Sequence, residues 1–146
     1  NQVLIKSSKD ASVVAEKFAP YTTNMLYMPV INYNAKSWGK HAEIFNSYIT
    51  SNLDVVAYEI CWDGTLEGER KIFNRVIKSG AKLWVNTLWG SICGGKERSF
   101  ADNNALNGNE HKIYGTLLKY GVTMIQTDRP QLLLDYLESK GRHTLP

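Results

Sequence analysis

Apolar residues gather into five short runs along the chain: Val3–Lys6, Met25–Ile31, Val55–Ile60, Leu83–Thr87 and Thr123–Thr127. Each has the length of a strand. Several are nearly continuous rather than alternating, a pattern that suits parallel strands covered on both faces. Between the runs the spacing changes. Ile44, Phe45, Tyr48 and Ile49 form apolar doublets four residues apart; Ile72, Phe73, Val76 and Ile77 repeat the pattern, and so do Ile113, Tyr114, Leu117 and Leu118. Each set makes one apolar stripe on a helix, suited to lying against a sheet. Shorter helices are expected over Ala11–Phe18 and Gln131–Lys140. Gly80, Gly121 and Gly141 each come just after a helix and a lysine, as left-handed helix stops do.

Strand followed by helix, five times over, makes the chain a single parallel α/β domain spanning residues 1–146. Two architectures fit. One is a five-stranded doubly wound, flavodoxin-like sheet. The other is five-eighths of a (β/α)8 TIM barrel: at about 250 residues for eight units, five need about 156. Length does not separate them. In both, chemistry gathers at the carboxyl ends of the strands and in the loops that follow. That places Lys6, Asn32, Glu59, Asn86, Thr87, Gln126, Thr127 and Asp128 along one edge.

Composition narrows the function classes. Hydrophobic residues make up 43% and charged residues 21%, ordinary values for a globular domain. The net charge of +3 is spread rather than clustered, so no nucleic-acid footprint is visible. No apolar run reaches the roughly 20 residues that span a bilayer. Cys61 and Cys93 form no Cys-x-x-Cys pair and read as two free thiols. The chain starts at Asn1-Gln2 without an initiator Met, as if a leader had been removed or the chain began inside a longer protein.

The first loop, "IKSSKDAS", has no glycine to let backbone N–H groups approach a phosphate, and no glycine-rich nucleotide motif occurs elsewhere. Acids clustered after the early strands, as a phosphoacceptor domain requires, are also missing. These absences weaken the small doubly wound reading. Lys6 ends the first strand, either solvated or reaching into an anion site. Glu59, after a mostly apolar run, needs a partner if buried and can serve a site or a structural ion pair. Alternation puts Trp84 and Asn86 on one side of their strand, with Val85 and Thr87 on the other. An asparagine there suggests a specific hydrogen-bond duty. Asp63-Gly64 reads as a turn. The long connection from Leu88 to about Asn109 reads as a mobile cover over the strand ends. His41, His111 and His143 form no triad or metal set with neighbouring residues in the sequence. In "GVTMIQTDRP", Asp128 is expected to cap the last helix and Pro130 to open it.

The segments "KLWVNTLWG", "FADNNAL" and "YGTLLKYGVTMIQTDRPQLLLDYLESKGRH" resemble the C-terminal part of the glycerophosphodiester phosphodiesterase family. That family closes on a strand, Thr-Asp-x-Pro and a leucine-rich helix; the counterparts are Thr127, Asp128, Pro130 and Leu132–Leu134. "NMLYMPVI" resembles its middle strands. The resemblance implies the last five βα units of a (β/α)8 barrel in a hydrolase. Such an enzyme cleaves glycerophosphodiesters to an alcohol and glycerol 3-phosphate, with a divalent cation (Ca or Mg) and two histidines. The family's His-Arg motif, Glu-x-Asp pair and following histidine are absent here, so no catalytic residue and no metal ligand is expected from this chain. Where many members carry Trp-Thr on the penultimate strand, this chain has Asn86-Thr87, with Trp84 two residues earlier. The resemblance makes Lys6, Glu59, Trp84, Asn86 and Gln126 candidates for the substrate side, with Thr87, Thr127, Asp128 and Pro130 structural at the barrel mouth. It implies inactivity of the chain alone, a missing N-terminal barrel half or self-association through open sheet edges, and a periplasmic or secreted setting. The alternative is a non-catalytic binding or assembly module.

Overall fold

A computed structural model of the chain describes residues 3–22, 25–33, 38–62, 66–95 and 99–142. Strands and helices alternate: β1 (Leu4–Ser7), α1 (Ala11–Thr22), β2 (Leu26–Tyr33), α2 (Trp38–Ile49), β3 (Ala57–Trp62), α3 (Leu66–Lys78), β4 (Lys82–Asn86), α4 (Thr116–Lys119), β5 (Met124–Gln126) and α5 (Pro130–Ser139). A π-helical turn over His111–Gly115 leads directly into α4. All the expected strands form, shifted by a residue or two at their ends. The glycine stops hold as well. Gly80, Gly121 and Gly141 take φ of 83°, 86° and 62°, and at Gly121 the Val122 N–H reaches back to the Leu117 carbonyl at 3.2 Å to close the helix.

The strands form a single parallel sheet in the order β1-β2-β3-β4-β5. Every strand is therefore hydrogen-bonded to its neighbours in sequence, and β1 and β5 are the edges. The register sorts the side chains into two faces. Lys6 is level with Met28, Val30 with Glu59, Asn32 with Cys61, Glu59 with Trp84, and Asn86 with Gln126. These residues share one face. Tyr27, Ile31, Tyr33, Tyr58, Ile60, Trp62, Leu83 and Val85 share the other.

The second set belongs to a hydrophobic cluster that takes in Val14 of α1, Phe45 and Tyr48 of α2, Ile72, Phe73 and Val76 of α3, Leu117 of α4, and Leu133 and Tyr136 of α5. The helices thus lie on one side of the sheet. Trp62 meets Phe73 edge-on, with centroids 5.1 Å apart, and Phe45 meets Tyr58 at 4.9 Å. On the opposite face Met28, Ala57 and Cys61 are buried but stand outside that cluster. The near-continuous apolar runs suggested strands covered on both faces, and residues of both faces are buried.

In the connection after β4, Gly90–Ile92 and Asp102–Ala105 are 3-10 turns, and Cys93 makes a parallel bridge with Trp62. The Gly94 N–H donates to the Trp62 carbonyl at 2.9 Å, and the Asp102 N–H to the Thr87 carbonyl at 2.6 Å. Cys93, Phe100, Asp102 and Ala105 are all buried. The described parts of this segment lie at the ends of β3 and β4 and send four side chains into the core there.

Candidate functional site

The helix-free face carries a polar wedge toward the carboxyl ends of β1, β3 and β4. Glu59 stands at its centre, 5% exposed. Its Oε2 accepts from the Lys6 ammonium at 2.8 Å, and its Oε1 accepts from the Asn86 amide at 2.7 Å. The Cys61 thiol approaches Oε1 at 3.7 Å. Asn86 in turn accepts from the Trp84 indole N–H at 3.2 Å, and the Lys6 ammonium lies 5.8 Å from the centre of the Trp84 ring. Four of the five substrate-side candidates, Lys6, Glu59, Trp84 and Asn86, therefore form one connected unit. The fifth, Gln126, is half-buried beside Asn86 in the β4–β5 ladder, and among the described residues no side-chain hydrogen bond joins it to the wedge.

Lys6 and Glu59 are joined in an ion pair, one of the two readings open for Glu59. A carboxylate this buried requires compensation, and here it receives a cation, an amide and a thiol. Asn86 has the hydrogen-bond duty its strand position suggested. Its amide is fixed at both ends, so the Trp84 ring and the Glu59 carboxylate are held in one geometry. Cys61, two residues beyond Glu59 on the same strand face, completes the unit. Strand alternation applied to Glu59 was the signal that could have found it.

Lys6 is the accessible member, with 46% of its side chain exposed against 6% for Glu59. An ammonium has three N–H donors. One is directed to Glu59, which leaves donors available toward solvent beside an aromatic ring. The unit can present a fixed cation to an anion, held by a carboxylate that is itself enclosed. Burial, and then the negative charge of Glu59, push the Cys61 thiol up to about 11, so it is a neutral hydrogen-bonding group and not a nucleophile. Burial likewise pushes Cys93 up to about 12. Both cysteines are free and buried, as their spacing suggested.

Among the described residues no three His, Cys, Asp or Glu side chains converge as a metal site would need. Both Glu59 oxygens already have protein partners. The wedge therefore does not fit a divalent cation.

A cavity of about 220 Å³ adjoins the wedge at the ends of β2 and β3, lined by Asn32, Tyr33, His41, Cys61, Trp62, Ser91 and Ile92. Cys61 belongs to both. The corner after β5 serves a different purpose. Thr87 is fully buried, and its N–H and hydroxyl both donate to the Gln126 carbonyl, at 2.8 and 3.0 Å. Pro130 opens α5 as expected, but Asp128 does not cap it. The N-cap is Arg129, and the Thr127 hydroxyl accepts the Arg129 N–H at 2.9 Å. Asp128 instead gives its own N–H to Asp102 Oδ2 at 2.7 Å, while the Tyr114 hydroxyl donates to Oδ1 at 3.0 Å. Asp102, 2% exposed, is the brace of this corner and went unnoticed in the sequence. His111 is bonded to the Tyr136 hydroxyl at 2.8 Å. His143 and the Asp63-Gly64 turn lie outside the described residues.

Residues 27–137 match the model of DUF4996, a family described as a domain of unknown function. The chain belongs to this family. The match runs from β2 through most of α5 and includes Glu59, Cys61, Trp84, Asn86 and Asp102; Lys6 lies before it. A comparison with curated proteins finds no match. Among the described residues no helix is long and apolar enough to cross a membrane.

Proposed function

We propose that this chain is the C-terminal portion of a metal-dependent glycerophosphodiester phosphodiesterase, forming the last five βα units of a (β/α)8 barrel. The observation that carries the reading is the sheet itself. Strands follow one another in sequence order, the helices lie on one side, and the other side holds a polar wedge toward the carboxyl ends. A doubly wound sheet reverses its strand order and places helices on both faces. A barrel segment keeps sequence order and has one bare face, which becomes the lumen when further strands close it. The resemblance of Leu83–His143 to the phosphodiesterase family supports the same reading.

On this reading Lys6 contacts a phosphoryl oxygen, Glu59 holds Lys6 in place, and Trp84 and Asn86 form the wall facing the glycerol. Gln126 and Thr127 close the last strand at the mouth. The histidines that move protons and the acids that hold the cation come from outside these 146 residues, so the chain alone does not hydrolyse. The missing barrel half, or a second copy joined at the open edges, completes the sheet. The family's periplasmic or secreted setting comes with the proposal.

The test is a phosphodiesterase assay of the full translated gene product beside the 146-residue chain, with glycerophosphodiesters and added Ca or Mg. The longer product is expected to release glycerol 3-phosphate, the chain to be inert, and Lys6→Ala in the longer product to lower kcat/KM by about a hundredfold. Metal-dependent hydrolysis by the chain alone, or a folded longer product without activity, overturns the reading. A second reading, a non-catalytic binding module, draws on the internal satisfaction of Glu59, whose hydrogen-bond partners are all protein groups. An inactive longer product whose Lys6 still binds inorganic phosphate would favour it.

A further inference from the structure

The bonds of the wedge use up most of its own hydrogen-bonding capacity and leave some at its two ends. Glu59 and Trp84 are level with each other on the bare face, and Asn86 and Gln126 stand level two residues further toward the carboxyl ends. Both Glu59 oxygens are engaged, one by Lys6 and one by Asn86. The Asn86 amide nitrogen is directed to Glu59 at 2.7 Å and to the Cys61 sulfur at 3.6 Å, and its oxygen accepts from the Trp84 indole at 3.2 Å. At one end, the Lys6 ammonium keeps donors beyond the one given to Glu59. At the other end stands Gln126. Its backbone carbonyl is pinned by the N–H and the hydroxyl of Thr87, at 2.8 and 3.0 Å. Its half-buried side-chain amide has no bond among the described residues.

A carboxamide offers an acceptor oxygen and N–H donors, and a hydroxyl both gives and takes a hydrogen bond. Gln126 can therefore exchange bonds in both directions with an alcohol. An acylated oxygen can accept from the amide but gives nothing back. Asn86, whose amide is already committed at both ends, cannot take this role. Neighbouring strands lie about 4.8 Å apart, so Gln126 is one strand beyond Asn86, toward the β5 edge, whereas Lys6 comes from the β1 edge. A ligand anchored by an anionic group on Lys6 and laid along Trp84 and Asn86 points its far end at Gln126.

We propose that Gln126 is the specificity-determining residue of the bare face, selecting phosphoryl ligands that carry a free hydroxyl on the carbon chain beyond the phosphate. This rests on the phosphodiesterase reading, in which the phosphoryl group sits on Lys6 and the hydroxyls are those of the glycerol. The substrate class follows: a diester whose glycerol is not acylated. Lys6 supplies affinity for the anion, and Gln126 supplies the choice between one carbon chain and another.

The experiment titrates the 146-residue chain with glycerol 3-phosphate and, separately, with propyl phosphate, which has the same carbon chain and phosphate and lacks the hydroxyls. Side-chain amide and indole NMR follow both. Glycerol 3-phosphate should bind about tenfold more tightly than propyl phosphate, with saturable shifts at the Gln126 amide and the Trp84 indole. Gln126→Leu should bind the two alike, at the parent's affinity for propyl phosphate. Gln126→Met, similar in length but without the amide, should do the same and guards against a leucine variant that folds poorly. The ratio of the two affinities is the readout, because a merely structural loss at Gln126 lowers both together. The proposal fails if the parent binds the two phosphates alike, if both variants keep the preference, or if neither phosphate binds. Hydrolysis by the longer product without this selection would remove the role of Gln126 and leave the phosphodiesterase reading standing. Selection at Gln126 with an inactive longer product would do the reverse.

Discussion

The two faces of the sheet are made of the same strands and have opposite chemistry. On the helix side, Tyr27, Ile31, Tyr58, Ile60, Trp62 and Val85 join a cluster in which almost every contact is apolar. On the bare side, the positions one residue along carry Lys6, Glu59, Cys61 and Asn86, held by directional bonds to one another. The helix face gains its stability from area removed from water, which is indifferent to detail. The bare face achieves a fixed arrangement of a cation, a carboxylate and an amide, in which each member depends on its neighbours.

Substitutions on the two sides should therefore differ in size and kind. The largest effect belongs to the helix side. Phe73→Ala removes the ring packed against Trp62 and should cost about 4 kcal/mol in denaturant unfolding. A loss below 1 kcal/mol would mean that this face does not hold the fold together. Asp102→Ala should cost about 2 kcal/mol, since it strips acceptors from the Tyr114 hydroxyl and the Asp128 N–H. Amide exchange should quicken at residues 127–129 before the rest of the chain.

On the bare side, Lys6→Met alone should cost about 1 kcal/mol, because it leaves a buried carboxylate short of a partner while losing an ion pair that is half in solvent. Adding Glu59→Gln should restore most of that loss. A double-mutant cycle checks this, and strict additivity would show that the pair is incidental. The smallest effect is alkaline. Burial raises Cys61 from 9.0 to about 11 and Cys93 from 9.0 to about 12. The folded chain thus holds these protons more tightly than the unfolded chain. Their contribution is complete below pH 9 and declines as pH rises through 11 and 12. Cys61→Ala should flatten the part of the decline between pH 9 and 11 and leave stability at pH 7 little changed.

Much of the helix side was legible in the sequence, because apolar runs, doublets four apart and glycines behind lysines are local signals. Ile72, Phe73, Val76 and Ile77 announce a helix stripe by themselves. The bare side was legible only as a set of suspects. Trp84 and Asn86 share a face by alternation, and Glu59 in an apolar strand demands a partner. That the partner is Lys6, 53 residues away, depends on the register of the intervening β2. Asp102 was hidden for the same reason, since its partners Tyr114 and Asp128 come from two later segments. Asp128 misled because its type and place suit a helix cap, while Thr127 and the Asp102 carboxylate provide the bonds actually used.

The central claim is that the bare face and its two edges are unfinished, awaiting further strands. Light scattering on the purified chain across a concentration series tests this most directly. The chain has a mass of 16.5 kDa. With β1 and β5 left as open edges, the account predicts association that grows with concentration, and its suppression when the proposed N-terminal barrel half is supplied. A clean monomer at every concentration would contradict it and return the sheet to a complete small domain.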